Sequence, residues 1–219
     1  DKNIMDFNGK PLIFWSIDQA LNSKHKMKIV VSTDSDNYKK IIDEKYNNLV
    51  PFLRPSDISN DDSLDIEFTT HALEWLIQNQ SYKPDIILHL RPTCPLRGVD
   101  DIDKALDLFI ENRNDFNSLR SVIETEKSPY KMYSIVNNKL VPLFDSVNKI
   151  DEPFNQPRQK LPKTYLHNGY IDILNYQIIL KKDGTISGNN IYPFIMDDED
   201  SIDIDNLDDF SKAESRIDL

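Results

Sequence analysis

Two aspartates separated by one isoleucine, Asp203 and Asp205, close the acidic run Met196-Asp197-Asp198-Glu199-Asp200-Ser201-Ile202-Asp203-Ile204-Asp205. Side chains of an extended strand alternate with period two, so both carboxylates project from one face. Two carboxylates at one strand end suit a hard divalent ion such as Mg²⁺, bound together with substrate phosphates. Two plainer roles compete: a solvated acidic turn and, for Asp205, an N-cap of the helix that starts near Asn206. Ile202 and Ile204 argue for a buried strand that holds the acids. A calcium loop is disfavoured, because no glycine stands where a twelve-residue loop needs one.

A second candidate is Arg91-Pro92-Thr93-Cys94-Pro95-Leu96-Arg97-Gly98. Pro92 and Pro95 stiffen it, and guanidinium groups offer planar paired donors to carboxylate or phosphate. An anion clamp and a rigid turn whose arginines reach acidic neighbours fit these residues equally. Gln156-Pro157-Arg158-Gln159-Lys160-Leu161-Pro162 is another basic loop and leads to Asn168-Gly169-Tyr170-Ile171-Asp172. Asn168 and Asp172, four apart, share a strand face and can hydrogen-bond a polyol, although a hairpin with solvent-facing polar positions is the simpler reading. Cys94 stands between arginines at a strand end, where a thiol can be activated. No histidine lies beside it, so a small buried thiol is expected. The histidines (His25, His71, His89, His167) are scattered without H-E-x-x-H, which speaks against a histidine-rich zinc site. His71 reads as structural, and Trp15 and Trp75 as packing.

The elements that must position these residues alternate along the chain. Pro11 precedes an apolar helix carrying Leu12, Ile13, Trp15, Ile17, Ala20 and Leu21. Lys28 to Thr33 reads as a buried strand, Asp34 to Asp43 as a polar helix and Asn48 to Leu53 as a second strand ended by Pro55. Ser63 can cap a long helix through Ile66, Leu73 and Leu76. Asp85 to Leu90 is the strongest strand, followed by a helix from about Asp100 to Asn112 and a strand from Ser118 to Glu124. Tyr165 to Leu174, Ile191 to Met196 and a helix from Asn206 to about Arg216 complete the pattern. This rhythm predicts an α/β fold with a mainly parallel twisted sheet and helices on both faces. Ligands of such sheets sit beyond the carboxyl ends of the strands, which puts Ser32-Thr33-Asp34 and Arg91 to Arg97 on the functional edge. Residues 127–163 break the rhythm with five prolines and short strand-like pieces. They are expected to form an antiparallel arm that packs on the main sheet or on a second subunit.

Composition narrows the function classes. The chain has 219 residues and a net charge of -11, which opposes a general nucleic-acid groove. No long apolar run spans a membrane, and no secretory signal opens the sequence. One cysteine excludes an internal disulfide framework and fits a reducing, cytoplasmic compartment. None of the five glycines falls in a G-x-G-x-x-G or Walker arrangement.

Taken in order, Lys2-Asn3, Phe7-Asn8-Gly9-Lys10-Pro11-Leu12, Val31-Ser32-Thr33-Asp34, Leu53-Arg54-Pro55, His71-Ala72-Leu73 and Arg91 to Arg97 resemble the acylneuraminate cytidylyltransferases, the CMP-sialic acid synthetases. Gln156-Pro157-Arg158-Gln159, Asn168-Gly169 and Asp200-Ser201-Ile202-Asp203-Ile204-Asp205 extend the likeness nearly end to end. The resemblance implies a single Rossmann-like nucleotidyltransferase domain over residues 1–219, with a dimerisation arm at 127–163. It implies transfer of CMP from CTP to the anomeric hydroxyl of a nine-carbon keto-acid sugar, with release of pyrophosphate. By that likeness Asp203 and Asp205 hold Mg²⁺, Lys2 meets the phosphates, and Asn3, Arg54 and Asp65 complete the nucleotide set. Arg91, Lys131, Arg158, Asn168 and Asp172 form the sugar set, and Lys131 and Arg158 match residues that reach across a homodimer with shared active sites.

Three departures from the family pattern stand out. A basic loop of the type A-R-x-G-S-K-G normally precedes the position of Lys2-Asn3, so a longer protein is expected. Arg91 stands where many sialic acid enzymes carry Gln, and Asp172 where Tyr is common. A bacterial relative such as legionaminic or pseudaminic acid is therefore expected as the acceptor as readily as N-acetylneuraminic acid. The alternatives are a cytidylyltransferase for an eight-carbon keto-acid sugar, and a non-catalytic homologue that binds nucleotide or sugar.

Overall fold

The computed structural model describes residues 1–181, 184–197 and 202–217, so Asp198 to Ser201 of the acidic run lie outside the described residues. A short hairpin opens the fold, β1 (Asp6–Phe7) and β2 (Lys10–Pro11), with Asn8 and Gly9 at φ 49° and 85°. This is the two-residue primed turn that Asn-Gly favours. α1 (Leu12–Asn22) follows, and Trp15 Nε1 donates back to the Phe7 carbonyl at 3.0 Å. α2 (Asp36–Asp43) starts at Ser35, whose hydroxyl caps Tyr38 N–H at 3.3 Å.

The two strands expected at 28–33 and 48–53 join no sheet ladder, and Asn48 stands in a turn at φ 57°. Val31 N–H donates to Leu49 O and Arg54 N–H to Thr33 O, both at 2.7 Å. A β-branched run makes the backbone extended, but a strand also needs an aligned ladder, which sequence does not supply. Both segments still bury apolar side chains: Val31, Leu49 and Val50 pack with Ile13 and Ile17 of α1 and Ile42 of α2.

α3 (Asp65–Gln80) begins at Leu64, whose N–H is taken by Glu67 Oε2 at 2.6 Å; Ser63 Oγ instead accepts from Asn60 N–H. The expected Ser63 cap is thus replaced by a reach-back carboxylate one residue later. β3 (Ile86–His89), α4 (Val99–Asn112) and β4 (Ser118–Thr125) come next. The irregular stretch is two antiparallel hairpins, β5 (Tyr133–Val136) with β6 (Lys139–Pro142), and β7 (Ser146–Val147) with β8 (Ile150–Asp151). Their turns are Asn137-Asn138 and Asn148-Lys149, all at positive φ. β9 (Thr164–Asn175), α5 (Tyr176–Ile179), β10 (Ile191–Met196) and α6 (Leu207–Ile217) complete the chain.

The main sheet has the order β10-β4-β9-β3. β10 and β4 pair in parallel, while β9 runs antiparallel to both β4 and β3, so three strands share one direction and the sheet is mixed. Helices cover both faces. Ile86 and Leu88 of β3 pack toward Ile102, Ala105, Leu106 and Phe109, the buried stripe of α4. Ile87, between them, packs toward Leu73 of α3 and Ile178 and Ile179 of α5. Phe7, Leu12, Ile204, Phe210 and Ala213 form a separate cluster that clamps the tail onto the front hairpin. No helix among the described residues is long and apolar enough to cross a membrane.

Candidate active site

The loop after β3 is pinned from inside. Arg97 is only 2 % exposed and donates to Tyr170 O (2.5 Å), Ser16 Oγ (3.1 Å), Gln19 Oε1 (3.0 Å) and Arg91 O (2.9 Å). It ties the loop to α1 and β9 and cannot clamp an external anion, which corrects half of that expectation. Cys94 is buried in the same loop, and burial pushes its thiol up to about 11. It is the small inert thiol that its surroundings demand.

Arg91 has the opposite fate. Its Nη1 donates to Asp172 Oδ2 and its Nη2 to Asp65 Oδ2, each at 2.7 Å. Asp172, 1 % exposed, also takes Arg120 Nε (2.9 Å) and His167 Nε2 (3.1 Å) on Oδ1. Asp172 is therefore a buried hub that orients two arginines and a histidine. Its oxygens are occupied by protein donors rather than turned toward a ligand, which corrects its expected place among the sugar ligands. Shared strand face was the wrong premise. Pairing slips between Arg120↔Asp172 and Val122↔His167, so β9 bulges there and period-two alternation fails.

Gly169 sits in that bulge at φ +67°, and a Cβ there would stand 3.4 Å from Asp203 Oδ2 and 3.5 Å from Arg91 Cδ. Glycine lets the tail segment come close to β9. The tail is held by Ile204, 1 % exposed, whose N–H donates to Thr93 O at 2.9 Å. Asp203 and Asp205 flank this anchor in a segment outside the sheet. Asp205 does not cap α6, because Asn206 Oδ1 takes the Asp209 N–H at 3.0 Å. That leaves the Asp205 side chain 80 % exposed, with Lys2 Nζ 3.9 Å away, and Lys2 Nζ itself donates to Ile204 O at 2.6 Å.

These elements enclose a cavity of about 370 Å³ lined by Arg91, Asn168, Asp203 and Asp205, with His167 and Gly169 beside them. Ile123 and Leu166 supply its apolar wall. It lies beyond the carboxyl end of β3 and beside the entry of β9, where a sheet of this kind collects ligands. Two carboxylates with one arginine and a nearby lysine make a site for phosphates that arrive with a cation.

A cytidylyltransferase family model matches residues 1–154. A CMP-N,N'-diacetyllegionaminic acid synthase of Campylobacter jejuni is 34% identical over 222 residues, covering 100% of this chain and 89% of that protein. The post-translational flagellin modification protein B of Campylobacter coli is 32% identical, covering 99% of this chain and 88% of its own length. The chain belongs to the cytidylyltransferase family. It is a nucleotidyltransferase. A pseudaminic acid cytidylyltransferase of Campylobacter jejuni is 32% identical over 75% of this chain and 67% of that protein. Among solved structures, a CMP:2-keto-3-deoxy-manno-octonic acid synthetase complexed with CTP superposes with a TM-score of 0.68. At 14% identity, covering 99% of this chain and 91% of that one, it shares the fold.

In this cytidylyltransferase the remaining expected site residues lie outside the cavity. Arg54 reaches Ser59 Oγ (3.0 Å) and Asp34 Oδ1 (3.5 Å) and stacks over Phe68 at 5.5 Å. Asn3 leaves a buried Oδ1 without a partner, an acceptor turned toward nothing in the described chain. Asp65 joins the cavity indirectly, through Arg91. Lys131 and Arg158 stay on the arm, bonded to Phe154 O (3.2 Å) and Glu126 Oε2 (3.4 Å). Sequence reasoning missed Arg120 and His167 as members of the site. Arg120 lies opposite Asp172 only through strand register, and His167 turns toward Asp172 only through the bulge.

Proposed function

We propose that this enzyme transfers CMP from CTP to the anomeric hydroxyl of an acidic nine-carbon keto sugar, with Mg²⁺ as cofactor and pyrophosphate as leaving group. The convergence of Asp203 and Asp205 with Arg91 and Asn168 on one cavity carries this reading. The donor set fits the ion. Mg²⁺ is commonly held by one or two carboxylates plus substrate phosphates and waters. Among the described residues no three His, Cys, Asp or Glu side chains gather to cage a metal, so Asp203 and Asp205 would hold it together with the triphosphate. When bound, Mg²⁺ neutralises charge that builds up on phosphate oxygens.

The chain's own groups do the positioning. Lys2 sets its ammonium beside Asp205, where the triphosphate would lie, and Asn3, Arg54 and Asp65 serve the nucleoside. Asn168 presents a carboxamide held by Ser121 Oγ at 2.6 Å, ready for a sugar hydroxyl or acylamino group. Ile123 and Leu166 give a sugar with acyl or deoxy methyl groups an apolar surface. Together with the relatives' names, this favours an acceptor of the legionaminic or pseudaminic type. The exposed apolar side chains of the arm, Ile135, Val136, Leu140 and Leu143 among them, support a homodimer in which Lys131 and Arg158 serve a partner's cavity.

Pyrophosphate release with CTP, Mg²⁺ and a panel of keto-acid sugars tests the reading. Turnover should be fastest with a di-N-acylated nine-carbon acid. Turnover confined to an eight-carbon acid, or CTP binding without any release, would replace it by one of the alternatives. Asp205→Ala should lower kcat by roughly 100-fold or more, while the melting temperature holds, because the side chain caps nothing. Mixing inactive Arg158→Ala and Asp205→Ala chains should restore part of the activity; no rescue after proven subunit exchange rejects the shared site.

A further inference from the structure

The regular part of β9 cannot explain where His167 points. Residues five apart on an uninterrupted strand face opposite sides, yet His167 Nε2 lies 3.1 Å from Asp172 Oδ1. The contact exists because residues 168–171 face Ser121 alone, between the pairs Arg120↔Asp172 and Val122↔His167. Ser121 Oγ locks the bulge, donating to Asn168 Oδ1 (2.6 Å) and accepting from Ile171 N–H (2.8 Å). Bulges of this kind re-aim side chains next to active sites.

Burial by itself would push the Asp172 carboxyl up, but His167, Arg91 and Arg120 all bond its oxygens and hold it well below the usual carboxylate range. An ionised carboxylate only accepts hydrogen bonds, so the shared hydrogen sits on Nε2 and a neutral His167 keeps its lone pair on Nδ1. No described residue bonds Nδ1, and the side chain is 32 % exposed where it lines the cavity. The other lining groups are poor proton acceptors. Arg91 is a cation, Asn168 is an amide, and Asp203 and Asp205 are committed to the metal in the reading above.

We propose that His167 accepts the proton of the attacking sugar hydroxyl and that Asp172 positions it, a deepening that rests on the CMP-transfer reading. The hydroxyl O–H bond breaks as its oxygen forms a bond to the α-phosphorus of CTP. The bond from that phosphorus to the bridging oxygen breaks, and its electron pair leaves with pyrophosphate. The proton ends on His167 Nδ1 while Nε2–H stays on Asp172, and solvent at the cavity mouth takes it before the next turnover.

Steady-state kinetics of wild type, His167→Gln and His167→Gly, with CTP, Mg²⁺ and the best acceptor of the panel, tests this. Glutamine keeps an N–H for Asp172 but has no basic lone pair. His167→Gln should therefore lose roughly 100-fold or more in kcat, with both KM values within about threefold and an unchanged melting temperature. Added imidazole should restore turnover to folded His167→Gly. Asp172→Asn should lower kcat as well, and imidazole should not restore it. A His167→Gln enzyme within about threefold of wild-type kcat, a loss confined to KM, or a His167→Gly enzyme that imidazole leaves inactive overturns the proposal. In those cases an active wild type leaves the CMP-transfer reading standing; a wild type without turnover sinks both.

Discussion

The bulged segment of β9 and the arm at 127–163 are both rich in charge, and they use it in opposite ways. At Asp172 two guanidiniums and an imidazole converge on a carboxylate that is 2 % exposed. On the arm Arg158 meets Glu126 at 3.4 Å with their side chains 59% and 93% exposed. A pair in water contributes about 0–1 kcal/mol and is screened by salt. A buried cluster is costly to assemble, but removing one partner strands the others out of water. The difference teaches that charge on β9 fixes geometry, whereas charge on the arm is free to meet something else. The apolar residues say the same: Ile171 and Ile173 are fully buried, while Ile135 and Leu140 are 76% and 67% exposed.

The sharpest way to break this contrast is Asp172→Ala. It removes the carboxylate that Arg91 and Arg120 share, leaving Arg91 only its pair with Asp65, and should cost roughly 3–5 kcal/mol of folding stability, read by urea unfolding. A loss below 1 kcal/mol would mean that the cluster behaves like the surface pairs of the arm. Next in size is a pH effect at the same end of the sheet. Burial, followed by the charge of Arg91, lowers the His89 pKa to about 4, against contrary pulls from Asp65 and Asp172. The unfolded chain takes up this proton near pH 6.5 and the folded chain only near pH 4. Stability carried by a neutral His89 is therefore complete above pH 6.5 and is lost as pH falls toward 4, by up to about 3 kcal/mol. His89→Gln should flatten that slope. The smallest effect belongs to the arm. Ile135→Asp with Leu140→Asp should change the stability of the isolated chain by less than about 1 kcal/mol and, on the proposed homodimer, shift sedimentation from dimer to monomer. A large drop in stability without a change in mass would show that the arm packs on its own chain.

Much of the fold was legible because its signals are local. The stripe Ile102, Ala105, Leu106 and Phe109 announces α4 by its spacing. Apolar runs at 86–89 and 191–196 announce strands. The prolines and short strand-like pieces of the arm announce antiparallel strands in place of helices. Local signals also misled. The run at 28–33 has the composition of a core strand, but strand pairing is a property of neighbours. Ser63 has cap chemistry, but Glu67 reached the helix start first. Arg91 and Arg97 look equivalent on paper, yet one lines a cavity and the other is sealed among neutral acceptors.

Sequence by itself determined the alternation of helices and strands, the acidic pair Asp203 and Asp205, and the segments that mark a cytidylyltransferase, since periodicity and residue type are written along the chain. Tertiary structure alone decided which of those residues meet. It turned Asp172 from a ligand of sugar into a hub for Arg91, Arg120 and His167, and it freed Asp205 by giving the helix cap to Asn206. The physical reason is that a carboxylate's role depends on which donors reach its oxygens and how much water remains beside it. Strand register and one bulge set both, and neither can be read from a string of residue names.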